Sequence, residues 1–258
     1  MSIQFKISNT SELNIFILDY VNSLSSPIDS FLEDHILDSV FYKIMINNRI
    51  EGYFAVHHKK LLTQFYLNFP HYKYSQDIFR KVIKDHSIES IFVPTCDELF
   101  LSLVLDQEYS ISNQAYFFSD TKEDIPTEKL YMKGEFNLAT MNDIEKIIDI
   151  SQDFLNNLED RITKGEIFTI YKDNSLLGVG IVEKSKVLSS YASIGMFTNE
   201  NYRQLGIGRT IIYHLKKWCY DNQLIPICGC WYFNTLSKQT IESANMVTKT
   251  RLLNAKVR

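Results

Sequence analysis

Glycine is almost missing from the first half of this 258-residue chain: of nine, only Gly52 precedes residue 134. Places where the backbone must approach a ligand or another backbone closely are therefore expected in the second half. Long apolar runs are also missing. Segments such as Phe100–Leu105 fall far short of the ~20 residues a membrane-spanning helix needs, and the opening MSIQFKISNT lacks a basic stretch followed by an apolar one, so neither a span nor an export signal is expected. Cysteine is scarce. Cys96, Cys219, Cys228 and Cys230 are too few and too irregular for a disulfide framework, which points to reduced thiols in a cytoplasmic protein. Cys228 and Cys230 would share one face of a strand, but no second pair with zinc-site spacing accompanies them, so they read as buried structural thiols. No basic stripe argues for nucleic acid, and no metal is expected: His57 and His58 are neighbours on a strand and should face opposite ways. His214 and Cys219 fall within an amphipathic helix and read as structural.

What is present is a hydrophobic content of 45%, ample for packed cores, and an uneven division of charge. Residues 1–130 hold 11 Lys and Arg against 18 Asp and Glu, a balance of −7, and the remainder hold 16 against 13, a balance of +3. An acidic half and a mildly basic half suit a cationic substrate and an anionic cofactor, although solvated surface gives the same pattern.

Element signals occur twice in a similar order. In the first half, Phe41–Ile46 and Ile50–His57 read as a hairpin, Leu61–Leu67 as a strand and Gln76–Lys84 as a helix. Glu89–Val93 then reads as a strand, Thr95 and Glu98 as a capping box before a helix over Leu99–Leu105, and Ser110–Phe118 as a last strand. The polar stretch Ser119–Glu128, with Pro126, reads as a surface connection, placing a boundary near residue 125. Beyond it, Leu130–Leu138 alternates, and Thr140 and Asp143 mark the start of a helix with apolar Met141, Ile144, Ile147, Ile148, Phe154 and Leu155. Strands are expected at Glu166–Tyr171, Leu176–Glu183 and Val187–Thr198. A helix over Arg209–Asp221 follows, its apolar Ile211, Ile212, Leu215, Trp218 and Cys219 at helical spacing. Pro226–Phe233, Leu236–Ala244 and Met246–Val257 complete the chain as strand, short helix and strand.

The most specific segment is the strand that runs into Arg203-Gln204-Leu205-Gly206-Ile207-Gly208 and then directly into a helix. Gly206 and Gly208 leave no Cβ in the way of a pyrophosphate, successive amides can converge on it, and the positive end of the helix favours its charge. On these residues the chain resembles the GNAT superfamily of N-acetyltransferases, whose motif (Gln/Arg)-x-x-Gly-x-(Gly/Ala) is matched by Arg203, Gly206 and Gly208. The resemblance continues in Asn234-Thr235-Leu236-Ser237, which fits the family's Asn-x-x-(Ala/Ser) at the start of a short helix. It extends to Asn245-Met246, where the family commonly has Gly-Phe and asparagine is the next-best left-handed cap. Motifs cover residues 130–258; element order alone carries the likeness to 35–118. The first-half counterpart of the loop, Asn68–Ser75, has no glycine. The resemblance thus implies an α/β fold of mixed α+β sheet type, the GNAT acyl-CoA N-acyltransferase fold, in two tandem domains, 1–125 and 126–258. The N-terminal copy would lack the cofactor loop and serve packing or substrate binding.

The resemblance implies acetyl-CoA as cosubstrate, no metal, and transfer of acetyl to a primary amine of a small molecule or peptide. The cofactor-binding residues implied are Phe197, Thr198, Arg203, Gln204, Leu205, Gly206, Ile207, Gly208, Arg209, Asn234 and Ser237. A backbone amide near Phe197 or Thr198 would meet the thioester carbonyl. An attacking amine must be unprotonated, and Tyr191 and Ser193, of one parity on their strand, are the candidates for a water relay. Many family members protonate the departing thiolate with a tyrosine seven residues after the motif asparagine; Ile241 stands there, leaving Ser237, Tyr232 or water. Glu200 reads as a solvated loop acid. A non-catalytic acyl-CoA-binding or regulatory module is the alternative, and an aminoacyl transferase of the Fem type is disfavoured by the intact loop. Neither nucleic acid nor membrane is expected as a partner, and a homodimer stays open.

Overall fold

The alternating stretches form strands close to their expected limits. In the computed structural model, which describes residues 2–152 and 155–257, the chain divides into two compact units, Met1–Tyr116 with Thr250–Arg258, and Phe117–Lys249. The units part at 116 rather than near 125, and the chain's last strand returns to the first unit. Strand ladders fix both facts, because a boundary placed by loop polarity cannot register a strand's distant partner.

In the first unit, β1 (Ile3–Ser8), β2 (Val40–Ile46), β3 (Arg49–His57) and β4 (Leu61–Leu67) pair antiparallel in that order. β5 (Ser90–Pro94) lies parallel to β4, and its other edge is taken by the end of β12 (Met246–Lys256), antiparallel, with Leu252 opposite Pro94 and Lys256 opposite Ser90. β6 (Ser110–Asp120) starts in this unit. Four helices, α1 (Asn14–Ser23), α2 (Ser30–Leu37), α3 (Ser75–Asp85) and α4 (Glu98–Leu105), accompany the strands. The core gathers Phe54, Phe65, Leu67, Phe79, Val82 and Phe100, all essentially unexposed, with Ala255 of the returning strand.

Sequence patterning misses β1, α1 and α2. α1 gives little signal because it buries Tyr20 while leaving Ile15 and Leu18 exposed, so its apolar residues mark no single face. The capping box expected at Thr95 and Glu98 is absent. Asp97 caps α4 instead, accepting from the Phe100 amide at 3.0 Å, while Thr95 Oγ1 accepts from the Arg251 amide of β12 at 2.9 Å. Gly52 also corrects an expectation: a Cβ there would lie 2.2 Å from the Tyr66 carbonyl oxygen, so close backbone approach occurs in the glycine-poor half as well.

Asp97 is buried near the equally buried Tyr20 and Tyr53. Burial pushes its carboxyl up to about 7 from 3.8, against the lowering effects of the Phe100 amide and the Tyr20 hydroxyl. The folded state thus favours the neutral acid. The stabilisation is full below the unfolded value and fades as pH rises towards about 7. Urea unfolding followed in the first unit should accordingly show lower stability at about pH 8 than at about pH 5, by a few kcal/mol. Asp97→Asn keeps the cap and should remove most of that difference. An unchanged pH dependence in the variant would assign the effect elsewhere.

In the second unit, β7 (Glu135–Leu138), β8 (Ile167–Lys172), β9 (Ser175–Lys184) and β10 (Tyr191–Thr198) pair antiparallel, and β11 (Ile225–Trp231) lies parallel to β10. The helices are α5 (Ile144–Ser151), α6 (Leu158–Thr163), α7 (Ile207–Asp221) and α8 (Thr235–Ser243). α5 begins as expected, after a short 3-10 turn, with a reciprocal capping box between Thr140 and Asp143. It stops at Ser151, so Leu155 lies beyond it, and Phe154 is outside the described residues. The strand expected from Val187 begins only at Tyr191, and only the end of Leu130–Leu138 forms β7. α7 packs on β9 because Gly178 and Gly180 make room: a Cβ at Gly178 would meet Ile211 Cδ1 at 2.8 Å. Cys219, on the buried face of α7, has its thiol pushed up to about 12 by burial, in keeping with a structural role.

The polar connection read over Ser119–Glu128 is partly interior. Asp120 ends β6 with its side chain 1% exposed, and Lys216 Nζ of α7 lies 2.5 Å from its Oδ1. Lys216 also donates to the Ala244 carbonyl at 3.0 Å, and the Tyr220 hydroxyl donates to Asp120 Oδ2 at 2.6 Å.

Candidate functional site

β10 and β11 pair through Tyr191↔Ile225, Ala192↔Pro226 and Ser193↔Ile227, and among the described residues no later pair joins them. Beyond that point β10 stays bonded to β9 on its other side as far as Thr198↔Gly178. The strands therefore part, leaving the last residues of β10 without a ladder on the β11 side. A cleft of about 690 Å³ is walled by Met196, Phe197 and Thr198 of β10, the loop after it, the first turn of α7 and one face of α8.

The loop is shaped by its backbone. Gln204 and Gly206 both have positive φ, 64° and 82°, and Gly206 turns the chain into α7. The first helical bond runs from the Thr210 amide to the Gly206 carbonyl, and among the described residues the amides of Gly206, Ile207, Gly208 and Arg209 donate to no backbone carbonyl. These amides and the positive end of a 15-residue helix open towards the cleft. Gly208 is where three walls meet. A Cβ there would stand 2.8 Å from Thr240 Cγ2, 3.1 Å from Thr198 Oγ1 and 3.7 Å from Met196 Sδ.

Two guanidinium groups flank the loop. Arg209 Nε donates to the Lys129 carbonyl at 2.9 Å, fixing the side chain, and Arg203 pairs with Glu200 at 3.1 Å. Glu200, 75% exposed along its side chain, is thus a loop acid held by its neighbour. Across the cleft, Asn234 caps α8, its Oδ1 accepting from the Ser237 amide at 3.0 Å. The helix ends on Asn245, whose φ of 58° is the left-handed cap expected there.

Of the residues singled out from sequence, Phe197, Thr198, Arg203, Gln204, Gly206, Ile207, Gly208, Arg209, Asn234 and Ser237 line the cleft together. Leu205 does not; its side chain is exposed. Tyr191 and Ser193 lie outside the lining, at the paired end of β10, roughly 17 and 10 Å along the strand from Met196 at about 3.3 Å per residue. Ile241 is 1% exposed and packs inward, so it offers nothing to the cleft. Sequence reading missed Met196, Leu236, Gln239, Thr240 and Ser243 in the lining. The α8 residues were legible: 236, 239, 240 and 243 share one helical face.

The first unit has no equivalent cradle. Where the loop would be, a 3-10 helix over Phe69–Tyr74 runs straight into α3, and the Ser75 amide donates to the Tyr72 carbonyl. Phe69 and Tyr72 pack edge to face there, with ring centroids 5.2 Å apart.

These shapes have counterparts. A model described as acetyltransferase (GNAT) domain matches residues 9–121, and one described as acetyltransferase (GNAT) family matches 135–239. No curated protein matches the sequence significantly. Among solved structures, a GNAT-family acetyltransferase from Colwellia psychrerythraea superposes with a TM-score of 0.88 at 19% identity, over 100% of both chains. A GCN5-related N-acetyltransferase from Sphaerobacter thermophilus gives 0.68 at 9% identity, over 98% of this chain and 95% of that one. A tandem GNAT protein from the clavulanic acid biosynthesis pathway gives 0.66 at 10%, over 99% and 98%. At such identities the likeness concerns the fold. With both halves matched by family models and each bearing the strand and helix order derived above, the chain belongs to the GNAT acetyltransferases, a family of acyl-CoA-dependent acyl transfer, as two GNAT domains in tandem.

Proposed function

We propose that the second unit transfers an acetyl group from acetyl-CoA to a primary amine of a small molecule or peptide. The observation that carries this reading is the run of amides from Gly206 to Arg209 that donate to no backbone carbonyl among the described residues, at the cleft beside a glycine whose Cβ would collide with its walls. That set fits a pyrophosphate: amides and a helix end for the charge, Arg203 and Arg209 at its flanks. Acetyl-CoA supplies an activated thioester when bound. Past its last pair with β11, β10 is bonded to β9 alone, and its backbone near Thr198 can offer an amide to the acyl oxygen, where negative charge develops as an amine attacks. Asn234 and Ser237 hold the opposite wall through the cap they form. The cleft's catalytic proton acceptor is not Tyr191 or Ser193 in this reading, given their distance from the lining; the amine's proton leaves to water, the C–S bond breaks as the amide forms, and CoA departs as a thiolate that water protonates. No helix among the described residues is long and apolar enough to cross a membrane.

A non-catalytic acyl-CoA-binding module is the second reading, favoured by the inward-packed Ile241 at the position of the family's proton-donating tyrosine. One assay separates the two. The full chain, given acetyl-CoA and a panel of amines (polyamine, amino sugar, free-amino peptide), should release thiol faster than without amine. Thermal stabilisation by CoA without turnover on any amine would select the binding module. Failure of acetyl-CoA to bind at all would reject both.

A further inference from the structure

Strand parity separates His57 from His58, yet the fold brings them together. β3 ends at His57, and the turn to β4 places His58 and Lys59 at φ 46° and 65°, in the left-handed region. That turn swings the second imidazole back beside the first: the two rings stand edge to face with centroids 3.9 Å apart. Asp38, the residue that ends α2, meets both. Its Oδ2 lies 3.5 Å from His57 Nδ1 and 3.9 Å from His58 Nε2, and one donor atom from each of the three residues lies within 4.8 Å of the others.

Two features distinguish this trio from a surface ion pair. His57 Nδ1 is buried, and Asp38 Oδ2, 3.5 Å away, faces it without forming a well-aligned hydrogen bond. Behind it stands His35 of α2, its ring centroid 4.9 Å from that of His57 and its Nδ1 held at 2.8 Å by the Phe31 carbonyl. His35, its own ring fixed by that bond, packs against the His57 ring.

We propose that Asp38, His57 and His58 form a binding site for a borderline divalent transition metal ion of the zinc class, with His35 as a positioning residue. Two imidazoles and one carboxylate suit such ions, whereas magnesium and calcium prefer oxygen donors alone. Bonds of about 2.0–2.1 Å place tetrahedral donors about 3.3 Å apart, so the widest pair of the trio closes by up to about 1.5 Å to take an ion. The side chains of Asp38 and His58 are 70% and 78% exposed and free to rotate, while His57, the least exposed, stays as the fixed point. Three protein donors leave a fourth position to water. The site belongs to the first unit and is independent of the acyl-transfer reading of the second.

Full-length protein stripped with a chelator should bind one Zn²⁺ per chain in competition with a chromophoric chelator, and Co²⁺ should give visible ligand-field bands of a four- or five-coordinate ion. Mg²⁺ should not compete. Asp38→Asn and His58→Asn should each weaken Zn²⁺ binding by at least about tenfold. Asparagine suits the left-handed turn at 58, so circular dichroism and the metal-free melting curve should be unchanged by that substitution. His35→Phe should keep the one-to-one stoichiometry but weaken binding and alter the Co²⁺ spectrum. Absence of saturable Zn²⁺ binding overturns the proposal, as does equal affinity in the Asp38→Asn/His58→Asn double variant.

Discussion

Gly208→Val should weaken acetyl-CoA binding by about 100-fold or more while leaving the ligand-free protein folded. The two methyl groups of valine have nowhere to go: the Cβ alone would sit 2.8 Å from Thr240 Cγ2 and 3.1 Å from Thr198 Oγ1. Relief comes by pushing α8 and the end of β10 away from the first turn of α7, which spoils the convergence of the amides from Gly206 to Arg209. Hydrogen bonds from such amides to a charged phosphate contribute about 1.5–3 kcal/mol each, so losing two costs about 3–6 kcal/mol, and each 1.4 kcal/mol is tenfold in affinity. Gly208→Ala should lie between, because its nearest neighbour is a threonine methyl that can rotate aside. Titration calorimetry with acetyl-CoA measures the series, and a melting curve without ligand separates lost binding from lost folding. Wild-type affinity in Gly208→Val would remove the loop from the cofactor site.

Lys216→Met should lower the melting temperature of the second unit by about 10 °C or more. Asp120 then remains in the interior with its side chain 1% exposed and, among the described residues, Tyr220 as its one side-chain hydrogen-bond donor. Removing one member of a buried pair costs about 3–5 kcal/mol, because the other is left desolvated and uncompensated. Each kcal/mol moves the midpoint by about 3 °C in a unit of this size. The Ala244 carbonyl at the end of α8 also loses its donor, so the melting of α8 should advance with the rest. Replacing both residues, Asp120→Leu with Lys216→Met, should recover more than half of the loss, since the unpaired charge and not the missing contact dominates. Equal melting of Lys216→Met and wild type would mean that the pair contributes nothing to stability.

The site was more legible in the sequence than the packing around it, for a local reason. Arg203 to Gly208 and the apolar spacing of Ile211, Ile212, Leu215 and Cys219 lie within one turn-and-helix unit, and each residue's role follows from neighbours a few positions away. Asp120 and Lys216 are the opposite case: each looks like solvated surface until the fold closes a loop of nearly a hundred residues between them. Asp97 replaced Thr95 as the α4 cap because Thr95 is held by Arg251, a partner that no local pattern announces. The relation between His57 and His58 turned on two left-handed residues, where the rule of alternation stops applying at the last residue of a strand. Tyr191 and Ser193 were misplaced relative to the cleft because parity gives a residue's face and says nothing of where along the strand its neighbour diverges.

The return of residues 250–258 to the first unit carries a consequence for synthesis. As the chain leaves the ribosome, the first 116 residues can collapse around Phe65, Phe79 and Phe100, but β5 keeps a bare edge until Leu252–Lys256 has been made. Through all that interval the edge offers its amides and carbonyls to any extended segment nearby. Completion of the first domain is thereby deferred until after every residue that lines the cleft of the second has already emerged.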